Sequence, residues 1–463
     1  MAIKFGTSGW RAVIADEFTL ANVRRAVAGI ALYVAAKHGP GAPVIVGRDA
    51  RYMGERFVEV AASVLSAFGL QPLVITEPAP TPAISYEVIR GEAAGAINVT
   101  ASHNPAEYSG IKFSTADGAP ALPEVTQAIE RLIPEDGHLG VRAALTKPKE
   151  VDPRPAYLAR LKEIVDFPLI RKSGMGVVFD PFWGSGRNYT NALLRDFGIP
   201  VTTVHDTRDV LFGGHAPEPD DSLFDDLRAA MKSTRARLGI ATDGDADRFG
   251  VVDEDGSFIQ PNYIIAVLFD YLVESRGWKN GVGKSVTTTN LINALAEHHG
   301  VELHETPVGF KYLGELIKQD KIVIGGEESA GLSIRYHVPE KDGILAGLLC
   351  CEAVARRNKP LQQQIRDLFG KVGSFFPERA NFHLTEDVKA KFTDKLKKDP
   401  AELAGRKVQQ VVRSDGMKLV FADGSWVCFR LSGTEPVVRV YSEARSPEDL
   451  KKLATEAKNW VFN

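Results

Sequence analysis

Three stretches of the chain repeat one local plan, and that plan narrows the possible folds more than any other feature. Residues 61–68 carry a helical apolar pattern, followed by Gly69 and the strand-like run Leu70–Ile75. Residues 191–197 with Gly198 and Ile199–Val204 repeat it, and residues 293–299 with Gly300 and Val301–His304 repeat it again. A glycine at that point can take the left-handed conformation that ends a helix before a strand begins. Helix, glycine and strand three times over predict three α/β units with broadly parallel strands.

The first unit is expected over residues 1–150. It opens at Phe5-Gly6-Thr7-Ser8-Gly9-Trp10-Arg11 and contains Pro43–Asp49, a strand running into a loop. Lys147-Pro148-Lys149 and Asp152-Pro153-Arg154-Pro155 read as a linker, with a helix near residues 156–165. The second unit is expected over 151–256 and the third over 257–371. Residues 372–463 differ in texture. Leu419-Val420-Phe421, Asp423-Gly424 and Trp426–Phe429 predict a hairpin, and residues 447–460 predict a helix. That makes a smaller, antiparallel α+β domain.

Length agrees, since 463 residues suit three to four domains. A net charge of -3 gives no electrostatic case for nucleic acid or a membrane surface. The three cysteines, Cys350, Cys351 and Cys428, lack metal-ligand spacing and suit a reducing compartment. No run approaches a membrane span and the start shows no apolar signal core, so a cytoplasmic location is expected.

Four short motifs carry chemistry. Thr100-Ala101-Ser102-His103-Asn104-Pro105 follows the small apolar run Ala93–Val99, so Ser102 stands where a strand gives way to a turn forced by Asn-Pro. A hydroxyl there can be exposed and fixed in direction, although a lone serine is more often a cap. Asp243-Gly244-Asp245-Ala246-Asp247-Arg248 follows the strand Leu238–Ala241 and puts three carboxylates at alternate positions. They can converge on one hard cation, and the open coordination positions suit magnesium shared with a phosphate oxygen. A calcium EF-hand loop is excluded, because Arg248 stands where that loop needs glycine and a strand flanks the motif. A phosphate on Ser102 would sit comfortably beside three aspartates only with a metal between them.

The remaining two motifs are weaker alone. Gly325–Gly331 follows the strand Lys321–Ile324, and Glu327 with Ser329 could pair with adjacent sugar hydroxyls. Arg430-Leu431-Ser432-Gly433-Thr434 leaves the last hairpin with one arginine and two hydroxyls, a plausible phosphate cradle that Arg439 could assist. Cys350-Cys351 reads as core, and His298-His299 as a solvated helix end.

Together, in this order, the four motifs resemble those of the α-D-phosphohexomutase superfamily, the phosphoglucomutases and phosphomannomutases, over nearly the whole chain. The resemblance implies four domains around a central cleft, each giving one loop. It makes Ser102 the phosphoserine, Asp243, Asp245 and Asp247 the Mg2+ ligands together with the seryl phosphate, and Glu327 and Ser329 the sugar contacts. Arg430, Ser432, Gly433 and Thr434 become the phosphate site. Arg11, Lys112 and Arg248 would offset charge on the transferring phosphoryl group, His103 would orient the loop, and Lys311 would face substrate. Some bacterial members place a histidine, proposed as general base, where this chain has Gly331. In this respect the chain resembles the glucose-preferring branch, whose lysine segment matches Glu340-Lys341-Asp342-Gly343. Lys341 is thus expected in proton transfer or phosphate contact.

The implied reaction interconverts hexose 1- and 6-phosphates, glucose preferred and mannose possible. It runs through a hexose 1,6-bisphosphate that also serves as activator, in a monomer or homodimer. The rivals are a glucose-1,6-bisphosphate synthase on the same scaffold and a sugar-phosphate-binding protein without catalysis.

Overall fold

The computed structural model describes residues 3–135, 147–403, 405–431 and 436–462. Strands β1 (Trp10–Val13), β2 (Pro43–Arg48), β3 (Gln71–Val74), β4 (Gly95–Val99), β5 (Tyr108–Thr115) and β6 (Lys149–Glu150) form one sheet in the order β1-β5-β4-β2-β3-β6. The segment expected to be pure linker thus supplies β6, two residues paired parallel to β3. Its backbone had an open sheet edge to pair with, which residue composition does not reveal.

The second sheet holds β7 (Val177–Asp180), β8 (Val201–Thr203), β9 (Leu238–Thr242) and β10 (Phe249–Asp253) in the order β10-β9-β7-β8. The third holds β11 (Gly281–Ser285), β12 (Leu303–Thr306), β13 (Ile322–Glu327) and β14 (Gly331–Ile334) in the order β12-β11-β13-β14. The repeated plan is visible in all three. Helices Gly54–Ala67, Thr190–Asp196 and Leu291–His299 are each followed by a glycine at positive φ (Gly69 77°, Gly198 67°, Gly300 64°). Strands β3, β8 and β12 then pair parallel to β2, β7 and β11.

Each sheet also reverses once at the same place. β4 and β5, β9 and β10, and β13 and β14 are antiparallel neighbours, whereas β4, β9 and β13 lie parallel to β2, β7 and β11 on their other side. The loops at these three reversals are the Ser102 turn, the three-aspartate turn and the Glu327–Ser329 turn. They are the same connection in three copies. The last unit is an all-antiparallel sheet of β15 (Phe376–His383), β16 (Glu402–Leu403), β17 (Arg406–Val412), β18 (Met417–Phe421), β19 (Trp426–Leu431) and β20 (Val437–Ala444), backed by helix Pro447–Phe462.

The first and last units have apolar cores of their own, while one continuous core runs through the second and third and takes in Ala83 of the first. Cys350, Cys351 and Cys428 are buried free thiols. His298 is exposed, but His299 bonds Asp270 at 2.9 Å, which corrects the solvated assignment; its ring turns toward the helix Pro261–Arg276. No helix among the described residues is long and apolar enough to cross a membrane.

Candidate active site

β4 is buried along its whole length, which fixes where its C-terminal turn begins. Ser102 follows with φ 53°, a left-handed backbone that a non-glycine residue adopts only when its surroundings impose it. Its hydroxyl donates to Asp243 Oδ2 at 2.6 Å, and His103 Nδ1 lies 3.4 Å from Ser102 Oγ. The first and second reversal loops therefore touch through the two residues that the sequence had singled out. Gly244 allows this approach, because a Cβ there would sit 2.7 Å from the Ser102 carbonyl oxygen.

Asp243, Asp245 and Asp247 are fully buried, and one carboxylate oxygen from each lies within 4.8 Å of the others. Lys112, on β5, donates to Asp245 Oδ2 at 2.6 Å and Asp247 Oδ2 at 2.7 Å. Lys341 donates to Asp247 Oδ2 at 2.6 Å. Three carboxylates thus face two ammonium groups, and Asp245 Oδ1 and Asp247 Oδ1 are buried with no partner. Unpartnered buried oxygens cost free energy, and a divalent cation would satisfy both while neutralising the excess charge. The residues present fit such an ion.

The electrostatics follow from this packing. Burial, then the charges of Asp247 and Asp245, push the Asp243 carboxyl well above the usual range. Burial acts the same way on Asp247, but Lys112, Lys341 and Arg248 outweigh it and hold that group well below. Burial opposes charge on Lys112 too, yet Asp245 and Asp247 raise its pKa and keep it an ammonium. Burial and the cations Arg248 and Arg11 push His103 well down, so its imidazole is neutral at pH 7.

Arg11 donates to Asn104 Oδ1 at 2.5 Å and so joins the serine turn. The Arg248 N–H caps Asp243 Oδ1 at 3.0 Å, while its guanidinium pairs with Glu218 at 3.2 Å. A Cβ at Gly331 would collide with the Lys341 side chain. A side chain at 331 would compete with the Lys341 stem for the same space.

The sugar and phosphate candidates form a second group. Glu327 is buried, accepts the Gly309 N–H at 2.7 Å, and is pushed upward by burial. Ser329 is half-buried in the same turn. Lys311 is half-buried, and it lines a small cavity of about 30 Å³ with Thr7, Ser8, Lys112, Glu340 and Lys341. Arg430 is held bidentate by Asp415 at 3.0 and 2.9 Å. Ser432, Gly433 and Thr434 lie outside the described residues.

Sequence reasoning missed several neighbours. Thr81 donates to Asp245 Oδ2 at 2.6 Å and itself accepts from Asn98 at 2.8 Å. Asp415 links Arg430 to the Val308 N–H at 3.0 Å. Glu340, buried between the lysines, is pushed up to about 7, mainly by burial. Only Glu340 had a visible signal, its place beside Lys341.

Fold and site together define an enzyme with three like α/β units and a fourth antiparallel one, whose reversal loops meet around a serine and three buried carboxylates that could hold a cation. Phosphoglucomutase/phosphomannomutase models match residues 2–138 (alpha/beta/alpha domain I), 155–256 (domain II), 260–372 (domain III) and 388–459 (C-terminal domain). The chain is 32% identical over 97% of its length, and 96% of the relative's, to the phosphoglucomutase/phosphomannomutase of Thermococcus kodakarensis. It is 31% identical to a Pyrococcus abyssi protein named "Probable phosphoglucosamine mutase", covering 99% of this chain and 97% of that one. A crystal structure from Thermus thermophilus superposes with a TM-score of 0.87 at 33% identity, covering 100% of both chains. The chain belongs to the phosphoglucomutase/phosphomannomutase family, and is a phosphohexomutase, an isomerase.

Proposed function

We propose that the enzyme interconverts hexose 1-phosphate and hexose 6-phosphate, with glucose preferred and mannose accepted, through a phosphorylated Ser102 and a hexose 1,6-bisphosphate. The observation that carries this is the meeting of the Ser102 hydroxyl with three buried carboxylates, two of whose oxygens have no partner. The four units (1–150, 151–256, 257–371 and 372–463) each contribute one loop to the cleft. Asp243, Asp245 and Asp247 hold Mg2+, which when bound supplies positive charge beside the seryl phosphate.

Ser102 carries the phosphoryl group. In the first half-reaction its P–Oγ bond breaks as a bond forms to the free hydroxyl oxygen of the hexose phosphate, and the proton that this hydroxyl loses ends on the released serine oxygen. The bisphosphate turns around and returns its other phosphoryl group to Ser102. Such a transfer needs positioning and charge stabilisation more than covalent machinery. Arg11, Lys112 and Arg248 balance charge on the equatorial oxygens, and His103 orients the turn as a neutral imidazole. Lys341 is placed for phosphate contact or proton transfer. Glu327, Ser329 and Lys311 bind the sugar, and Arg430, with Ser432, Gly433 and Thr434, binds the phosphate that is not reacting.

The test is turnover on glucose 1-phosphate, mannose 1-phosphate and glucosamine 1-phosphate with magnesium present. The expected order has glucose first by kcat/KM. Faster turnover of glucosamine 1-phosphate would overturn the preference while leaving the mutase chemistry intact. Release of free glucose 1,6-bisphosphate as the main product would favour the synthase alternative. Intact mass should show one phosphate on Ser102, which a non-catalytic binding protein would not carry.

A further inference from the structure

The loop that follows β2 has no part in the reaction above, yet it holds the most completely bonded side chain near the site. Arg51 is 1% exposed. A guanidinium has five N–H donors, and each has an acceptor here. Nε bonds Asp49 Oδ2 at 3.1 Å; Nη1 bonds the carbonyls of Pro105 at 2.7 Å and Tyr108 at 3.0 Å; Nη2 bonds those of Ser102 at 2.7 Å and Asn104 at 2.5 Å. Four of the five acceptors are backbone oxygens of the turn that carries Ser102 or of the residues just beyond it.

The other side of the serine is tied to the same place. Its N–H donates to Thr100 Oγ1 at 2.9 Å, and that hydroxyl donates to Asp49 Oδ2 at 2.6 Å. Asp49 Oδ1 in turn accepts the Arg51 N–H at 2.9 Å. Both peptide groups flanking the left-handed Ser102 are therefore anchored on the Asp49–Arg51 pair. The second unit closes over this anchor. The Phe212 ring lies 5.0 Å from the guanidinium, and Arg208 donates to the Ala50 carbonyl at 3.1 Å.

We propose that Arg51 is a positioning residue for phosphoryl transfer: its guanidinium holds the backbone of Ser102 in the left-handed conformation that aims Oγ at Asp243. The proposal rests on the assignment of Ser102 as phosphoryl carrier. The five guanidinium donors of Arg51 are all taken by oxygens of the protein, which leaves none for substrate or the reacting atoms. Four carbonyls converging on one planar fork need arginine; the three donors of a lysine cannot reach them in that geometry. With the fork removed, Ser102 is free to relax to an ordinary negative φ, which swings Oγ off the acidic cluster. A displacement of about 1 Å at a reacting atom costs on the order of 10²-fold in rate.

The experiment compares Arg51→Lys and Arg51→Ala with the wild-type enzyme after charging with glucose 1,6-bisphosphate. It measures kcat, KM, the phosphate on Ser102 by intact mass, and the thermal midpoint. Folded variants should lose about 10²-fold in kcat with KM changed less than about threefold. Millimolar guanidinium should restore at least about fivefold of the loss in Arg51→Ala and none in Arg51→Lys, where an ammonium fills the space. A folded Arg51→Lys enzyme with near wild-type kcat would overturn the proposal. So would a loss explained wholly by a smaller folded fraction, or the absence of guanidinium rescue in folded Arg51→Ala. Failure of both variants to fold would also overturn the proposal, because it would make Arg51 a residue the fold needs rather than one that positions Ser102. Activity surviving in Ser102→Ala would instead remove the underlying assignment, so the two failures are distinguishable.

Discussion

Two clusters of charge sit where the units of this chain meet, the first wholly buried and the second built on buried lysines that share an exposed glutamate, and they are finished differently. At the meeting of the first three units, Asp243, Asp245 and Asp247 outnumber Lys112 and Lys341, and two carboxylate oxygens are left without partners. Between the third unit and the last, Lys284 and Lys418 share Glu305 at 3.3 and 3.2 Å. There Lys284 also donates to the Thr288 and Thr289 carbonyls at 2.9 and 3.3 Å and to Asn290 Oδ1 at 2.8 Å. Glu443 accepts from the Thr289 hydroxyl, from Asn290 N–H at 2.9 Å and from the Trp426 indole at 2.8 Å. The Lys418 ammonium lies 4.3 Å from the Trp426 ring centre. Among the described residues, none of these four charged side chains has a buried atom lacking a partner. Burial of charge therefore does not by itself mark a site. In the first cluster two unpartnered carboxylate oxygens also lie on a turn that meets the Ser102 hydroxyl, and that coincidence is what sets it apart.

The largest effect expected on the first cluster is that of Ser102→Ala. Turnover should fall by more than about 10³-fold with the melting temperature almost unchanged; near-normal turnover would remove the serine from its role. Asp243→Asn should cost at least about 10²-fold in magnesium-supported turnover and yet raise stability in the absence of metal by about 1–2 kcal/mol. Neutralising one of three crowded carboxylates relieves repulsion. A drop in metal-free stability, read by denaturant titration, would erase the contrast between the clusters.

The second cluster should behave in the opposite sense. Glu305→Ala leaves Lys284 and Lys418 facing one another and should cost about 1 kcal/mol, since Glu305 is solvent-screened, with kcat within about threefold of wild type at a temperature where the variant is folded. Greater loss of activity than of stability would show that this junction belongs to the chemistry.

The smallest effect is a pH dependence. Burial, reinforced by Lys418, pushes Lys284 down to about 7 in the folded chain, against an ordinary 10.5 when unfolded. Between those values the unfolded chain binds more protons at this group than the folded one, so its contribution to stability rises as pH rises from about 7 toward 10.5. The melting temperature of wild type relative to Lys284→Met should therefore increase from pH 7 to pH 9. A flat or falling difference would show that the ammonium stays charged throughout.

Much of the fold was legible because the relevant signals are local. The glycines at 69, 198 and 300 follow their helices because a helix end needs a left-handed residue, and Asp423-Gly424 turns the last hairpin for a similar reason. The Asp243–Asp247 turn stood out because three acids at alternate positions repel unless a ligand joins them. The linker strand β6 was not legible, since its pairing depends on an edge presented by β3, far back in the chain. His299 was misread because Asp270 lies on another helix. Thr81, Asn98 and Asp415 are ordinary residues in sequence and become neighbours of the site only through packing.

By itself the sequence determined that strands end in turns carrying a serine, three carboxylates and an acid-hydroxyl pair, because backbone conformation and side-chain chemistry are set within a few residues. Tertiary structure alone decided that these turns are one connection used three times and that they meet. Ser102 and Asp243 are 141 positions apart, Lys112 and Asp247 135, and Arg51 and Ser102 51. Contacts of that span depend on how whole sheets pack, and no local pattern of residues encodes which donor will find which acceptor.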